Sequence, residues 1–200
     1  GDRSSGSNKL DKLAGGLAHK YVIDENTYIR SSLSATYSKD RSMADLHTDN
    51  EIVQVADIQN SRWNFVFNSY LNKKFSSNHI NRTGITITGL KYDLDYKISP
   101  NFGLDIPMEQ ISKGDGESTV FSAYSSSVIN LNNNWDTSLG VTAQYFTLNN
   151  NLSIEPRVAL KWKINPKHSL ALAYGLHSRR EKLDYYFVEK VVNGKNQSNR

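Results

Sequence analysis

Residues 154–178, IEPRVALKWKINPKHSLALAYGLHS, alternate apolar and polar side chains on both sides of a short polar turn, Asn165-Pro166-Lys167-His168. A period of two sends successive side chains to opposite faces of an extended chain, so each arm reads as a strand with one apolar and one polar face. Val158, Leu160, Trp162, Leu170, Leu172 and Tyr174 share one face, and Glu155 and Arg157 share the other. The pattern recurs in Ile29, Leu33, Ala35 and Tyr37 against Arg30, Ser32, Ser34, Thr36 and Ser38, and in Trp63, Phe65, Phe67 and Leu71 against Arg62, Asn64, Asn68 and Asn72. Leu139, Val141, Ala143 and Tyr145 repeat it against Ser138, Gly140, Thr142 and Gln144. A helical stripe is absent even from residues 43–58, the one stretch whose apolar spacing invites the comparison.

Strands are therefore expected near 10–23, 28–39, 62–75, 80–98, 118–131, 136–147, 154–164 and 169–180, with a candidate ninth over 183–192. Short polar turns join them at Asp24-Glu25-Asn26-Thr27, Ser76-Ser77-Asn78-His79, Asn132-Asn133-Asn134-Trp135 and Asn165-Pro166-Lys167-His168. Between these turns lie longer segments, 39–61, 99–117 and 147–153, expected as irregular loops. Short turns alternating with long loops are the connections of an outer-membrane barrel. The expected fold class is all-β: an antiparallel meander of about eight to nine long strands, forming a partial or small up-and-down barrel of outer-membrane type. Residues 10–192 are expected as one barrel segment, residues 1–9 as a tag remnant or disordered start, and 193–200 as a frayed tail.

A mean hydropathy of −0.58 does not oppose this reading, because a transmembrane strand shows lipid only every second side chain. The polar faces are rich in Ser, Thr, Asn, Gln and Gly, which suits a wall facing enclosed water. Aromatics gather near strand ends, with Tyr28, Phe75, Trp135 and Trp162 beside the turns and Tyr37, Trp63, Tyr92 and Tyr96 nearer the loops, as interfacial girdles do. A net charge of +4 comes from 24 Lys and Arg scattered along the chain, so no nucleic-acid partner is expected.

Chemistry-bearing constellations are sparse. There is no Cys, the five His have no pair at ligand spacing, and Gly114-Asp115-Gly116-Glu117-Ser118 lacks the Lys-Ser/Thr of a phosphate loop and the alternating ligands of a calcium loop. That run is expected as an exposed turn. No catalytic, cofactor-binding or metal-ligating residue is assigned, and an enzyme is not expected. Arg41, Lys113, Asp115 and Glu117 are expected in loops as outer-surface contacts.

Ile154-Glu155-Pro156-Arg157, the run from Trp162 through Asn165-Pro166-Lys167-His168 to Leu170, Ala173-Tyr174-Gly175-Leu176-His177-Ser178 and Asp184-Tyr185-Tyr186-Phe187-Val188 carry a resemblance. These residues resemble the barrel of a Bacteroidetes TonB-dependent outer-membrane receptor, more closely the members whose plug follows a carboxypeptidase-regulatory-like domain. The resemblance implies a barrel of about 22 strands, closed by a plug and energised through the TonB complex, that imports a glycan, siderophore or similar nutrient across the Gram-negative outer membrane. It implies short turns toward the periplasm and loops outside. Two hundred residues cannot supply such a barrel, no plug or TonB box is visible, and the final residues lack a strand with a terminal aromatic. The expectation is a slice of the barrel wall, with lipid as its partner and open edges prone to self-association.

On that reading Glu155 and Arg157 line the lumen near its outer mouth, with His177 and Arg179 opposite them on the next strand. Two roles are open: contact with solute or plug, and a cross-strand ion-pair ladder that fixes register, the second being favoured. The competing reading of the whole chain is a soluble extracellular β-sandwich or β-solenoid binding module, with carbohydrate among its candidate ligands.

Overall fold

Eight strands pair in the order in which the chain makes them: β1 (Arg3–Asp24), β2 (Thr27–His47), β3 (Ile52–Ser76), β4 (His79–Ile98), β5 (Glu109–Asn130), β6 (Trp135–Phe146), β7 (Asn151–Asn165) and β8 (His168–Gly175). Every pairing is antiparallel, and β1 and β8 are the two edges of one open sheet. The computed structural model describes residues 3–48, 51–100, 107–179, 186, 189–192 and 195–198. The expected all-β antiparallel meander is what these residues form.

Side chains of the turn residues explain why the hairpins close where they do. The Asp24 carboxylate accepts a hydrogen bond from the Asn26 amide, 2.7 Å. Asn132 Oδ1 accepts from the amides of Asn134 and Trp135, 2.9 and 3.0 Å, and Asn165 Oδ1 accepts from those of Lys167 and His168, 2.9 and 3.0 Å. Each satisfies amides that the ladder leaves behind, which is why Asx residues favour turns over strand interiors.

At the other end, several expectations are corrected. Residues 39–47 and 52–61 are not a loop; they extend β2 and β3, pairing from Lys39↔Ser61 to His47↔Ile52. Residues 109–117 likewise belong to β5, so the Gly114–Ser118 run is strand, and only a tight turn separates β6 from β7. Residues 3–9 pair with β2, from Arg3↔His47 onward, and are not a disordered start. In these stretches apolar residues do not keep a regular alternation or glycines interrupt it, so periodicity cannot mark them, while an existing neighbour's free backbone groups extend the ladder regardless. The last expected strand is shorter, ending at Gly175. The candidate ninth does not join the sheet: β9 (Glu189–Val192) pairs only with β10 (Lys195–Ser198), which lies in the expected frayed tail. Asp184, Tyr185, Phe187 and Val188 lie outside the described residues.

The sheet's two faces differ in exposure as well as chemistry. Phe65, Phe67, Ile85, Phe121, Leu139, Val141, Leu152 and Ile154 are exposed on one face, whereas Arg62, Asn64, Val66, Asn68 and Tyr70 on the other are half-buried. Side chains inside a curl shield one another, so the polar face is the concave one. Gly84 marks where the curl is tight: a Cβ there would sit 2.6 Å from the Tyr70 Cβ, 2.7 Å from the Ser69 carbonyl oxygen and 2.9 Å from the Tyr124 hydroxyl. Only glycine permits that approach.

Candidate functional site

The convex apolar face is bounded at both ends by paired rings. Toward the long-strand end, Tyr37 and Trp63 lie opposite each other on β2 and β3, centroids 4.8 Å apart, and Trp63 stacks in turn on Phe65 at 5.8 Å. Toward the turns, Trp135 and Trp162 stack at 5.3 Å across β6 and β7, and Phe75 stacks on His79 at 5.0 Å. All three tryptophans of the chain therefore sit on this face, at its margins. Trp63 to Lys73 is about eleven residues, close to what a tilted strand needs to cross a bilayer.

Polar side chains within this face satisfy one another. Ser31 and Ser69 share a hydrogen bond of 2.9 Å, Thr83 and Ser125 one of 2.8 Å, and Asn81 Nδ2 donates to Ser125 and Ser127 at 3.2 and 2.9 Å. Pairing of this kind removes the penalty of taking hydroxyls and amides out of water. Small residues between the larger ones leave a broad apolar depression of about 530 Å³, floored by Ile29, Leu71, Ile85, Ala123 and Val141.

One step beyond Tyr37 and Trp63 the chemistry of the two faces inverts. The convex face becomes charged: Arg41 donates twice to the Asp57 carboxylate at 3.1 Å, Lys91 pairs with Glu117 at 3.2 Å, and Lys97 pairs with Asp95 at 3.4 Å. Paired to Arg41, and with Gln59 also donating to it, Asp57 has its carboxyl pKa held below the ordinary value. Arg41, Lys113, Asp115 and Glu117, expected in loops, thus stand on strands. The concave face becomes apolar there, with Tyr92 and Leu94 buried and Leu148 and Tyr186 packed against the pair, while Val120 and Phe146 are buried a few register positions nearer the turns. The strand extensions carry their own small core.

Glu155 and Arg157 lie on the concave face of β7, as expected, but no cross-strand ladder forms between charged groups. The pair runs along one strand, with Arg157 Nη2 donating to Glu155 Oε2 at 2.9 Å. The crossing contact comes from Ser178, whose amide donates to Glu155 Oε1 at 3.0 Å and whose hydroxyl donates to the same oxygen. Glu155 is buried in consequence. His177 and Arg179 follow the end of β8 and do not pair with it. The His177 ring passes over Gly175, where an added Cβ would stand 3.2 Å from its Nε2 and 3.1 Å from the Arg157 Cγ. Arg179 lines a cavity of about 90 Å³ with Gln144, Phe146, Ser153, Ser178 and Tyr186. The structure thus gathers Glu155, Arg157, His177 and Ser178 around Gly175 and sets Arg179 beside them. Ser178 escaped sequence reasoning because a serine after a strand carries no signal; only its backbone course brings it to a carboxylate.

No protein-family model matches the chain, and no curated protein matches it.

Proposed function

We propose that this chain is a sector of the β-barrel of an outer-membrane receptor of the TonB-dependent kind, its convex face toward lipid and its concave face toward the lumen. In that role it is part of a transport and binding wall in the Gram-negative outer membrane, completed by further strands and by a plug coupled to the TonB complex. The observation that carries the reading is the position of Trp63, Trp135 and Trp162, all on the exposed apolar face and at its two margins. Tryptophan takes such positions where one end of the indole is wet and the other meets hydrocarbon. The cross-strand pairing of polar groups on the same face, and the charge that begins directly beyond Tyr37 and Trp63, support it further. The imported nutrient would meet the concave side, where Glu155, Arg157, His177 and Arg179 stand near the outer mouth.

The test is depth-dependent quenching of tryptophan emission after the chain is folded into bilayers containing brominated lipids. Single-tryptophan variants should each quench most strongly with bromines near the headgroups and weakly with bromines at the bilayer centre. Emission indifferent to bromine position, or a chain that stays monomeric and folded at high concentration without detergent, would overturn the reading and leave a soluble β-module in its place.

A further inference from the structure

Several cations on this molecule are held by a carboxylate: Arg41 by Asp57, Lys91 by Glu117, Lys97 by Asp95, Arg157 by Glu155 and Lys163 by Asp136. A group on the concave face is not. Lys20 and Arg30 are direct cross-strand partners on β1 and β2, and Arg82 stands on β4, two strands from Arg30. None of the three has an ion-pair partner among the described residues, and Glu155 and Asp136, farther across the sheet, already hold Arg157 and Lys163.

Tyrosines knit these cations together. Lys20 Nζ lies 4.4 Å from the Tyr28 ring centroid, Tyr28 meets Tyr70 edge-on at 6.2 Å, and the Arg82 guanidinium carbon lies 4.7 Å from the Tyr70 centroid. Arg30 is the direct cross-strand partner of Tyr70. A guanidinium resting on a ring uses its face and keeps its in-plane N–H donors for another acceptor. Like charges set directly opposite across a sheet, as Lys20 and Arg30 are, destabilise the pairing. An anion between them reverses the sign of that interaction.

We infer that Lys20, Arg30 and Arg82, with Tyr28 and Tyr70, form a binding site for a small oligoanion whose charged groups are spaced about 12 Å apart, two inter-strand steps across and two residues along the sheet. Lys20 and Arg30 clasp one anionic group; Arg82 takes the next, and the intervening part of the solute lies along Tyr70. Carboxylated or sulfated sugars and linear polyphosphates share this chemistry. The inference deepens the proposed function, resting on it only in treating the concave face as the side that solute passes.

The experiment is isothermal titration of the folded chain in neutral polyoxyethylene micelles with four probes: a sulfated tetrasaccharide, a tetragalacturonate, a linear polyphosphate of similar length and neutral maltotetraose. The anionic probes are expected to bind saturably and to weaken as salt rises, with maltotetraose inert; the tightest of the three names the source. Arg30→Gln and Arg82→Gln should each weaken binding roughly tenfold, the usual scale for a charged hydrogen bond, whereas Lys91→Gln on the convex face should leave it unchanged. Arg30→Lys, which keeps the charge, should retain most of the affinity and guards against a folding defect. Absence of saturable binding, equal binding of maltotetraose, or indifference to both glutamine substitutions overturns the inference. Tryptophan quenching is read in parallel on the same variants in brominated-lipid bilayers, so a lost site with intact margin depth is distinguished from failure of the barrel reading.

Discussion

The Tyr37 and Trp63 rings meet at a tilt of 36° across β2 and β3, centroids 4.8 Å apart, and the next residues on that face, Lys39 and Ser61, end the apolar band. The pair is the margin between two solvents on the proposed reading. Trp63→Ala should cost about 1–3 kcal/mol, combining lost aromatic area and the ring pair, measured by urea titration of the chain folded in micelles. Tyr37→Ala in the Trp63→Ala background should cost less than it does alone, since the shared contact is then already gone.

Facing predicts the response to charge. Ile87→Arg, in the middle of the convex band, should destabilise the bilayer-inserted state by about 2–4 kcal/mol, whereas Thr88→Arg, one residue away on the concave face, should be tolerated. Gel mobility with and without heating, after insertion into vesicles, reads the folded fraction. Equal effects of the two substitutions would show that both faces meet the same medium.

Gly84→Ala should destabilise by about 1–3 kcal/mol, the range for overpacking a filled site. Two of its three close approaches are to the Tyr70 Cβ and the Ser69 carbonyl, which no side-chain rotation relieves. Adding Tyr124→Phe, which removes the third, should therefore not restore the urea midpoint.

The Glu155–Ser178 contact should behave as one unit. Glu155→Gln and Ser178→Ala should each cost about 1–2 kcal/mol, and the double variant should cost clearly less than their sum in a double-mutant cycle.

Beyond the apolar band, Asp57 gives a pH signature. Arg41 and Gln59 favour its ionised form, so its folded pKa lies below the ordinary 3.8. The proton is bound more tightly in the unfolded chain. The associated stability is hence fully present above the ordinary value and is lost as pH falls through the lower folded value. Arg41→Gln should flatten that part of the stability–pH curve by removing the gain on its neutral side, a small loss for so exposed a guanidinium, with the two proteins converging at low pH.

The faces of the strands were legible because apolar and polar side chains alternate: Trp63, Phe65 and Phe67 against Arg62, Asn64 and Asn68 needs no structure to be read. The turns were legible through Asp24, Asn132 and Asn165, whose side chains do in space what their type suggests in sequence. The strand extensions were not, since Lys39, Asp40, Arg41 and Ser42 carry no apolar alternation and owe their conformation to a neighbouring ladder. For the site, Glu155 and Arg157 were found by facing alone. Their true crossing partner, Ser178, and the Lys20–Arg30–Arg82 group were missed, as both depend on cross-strand register that a single sequence does not state.

The extension of β3 beyond Trp63, residues 52–62, is about 35 Å of paired strand at the usual rise. On the proposed orientation it makes a stiff palisade outside the cell instead of a fringe of loops. A phage fibre, antibody or protease arriving there meets, along the described residues, hydrogen-bonded backbone interrupted by the register shifts at Ala44–Asp45 and Tyr96–Lys97. Selection for escape would therefore act on the charged pairs that stud it, such as Arg41–Asp57, while the height of the wall stayed constant.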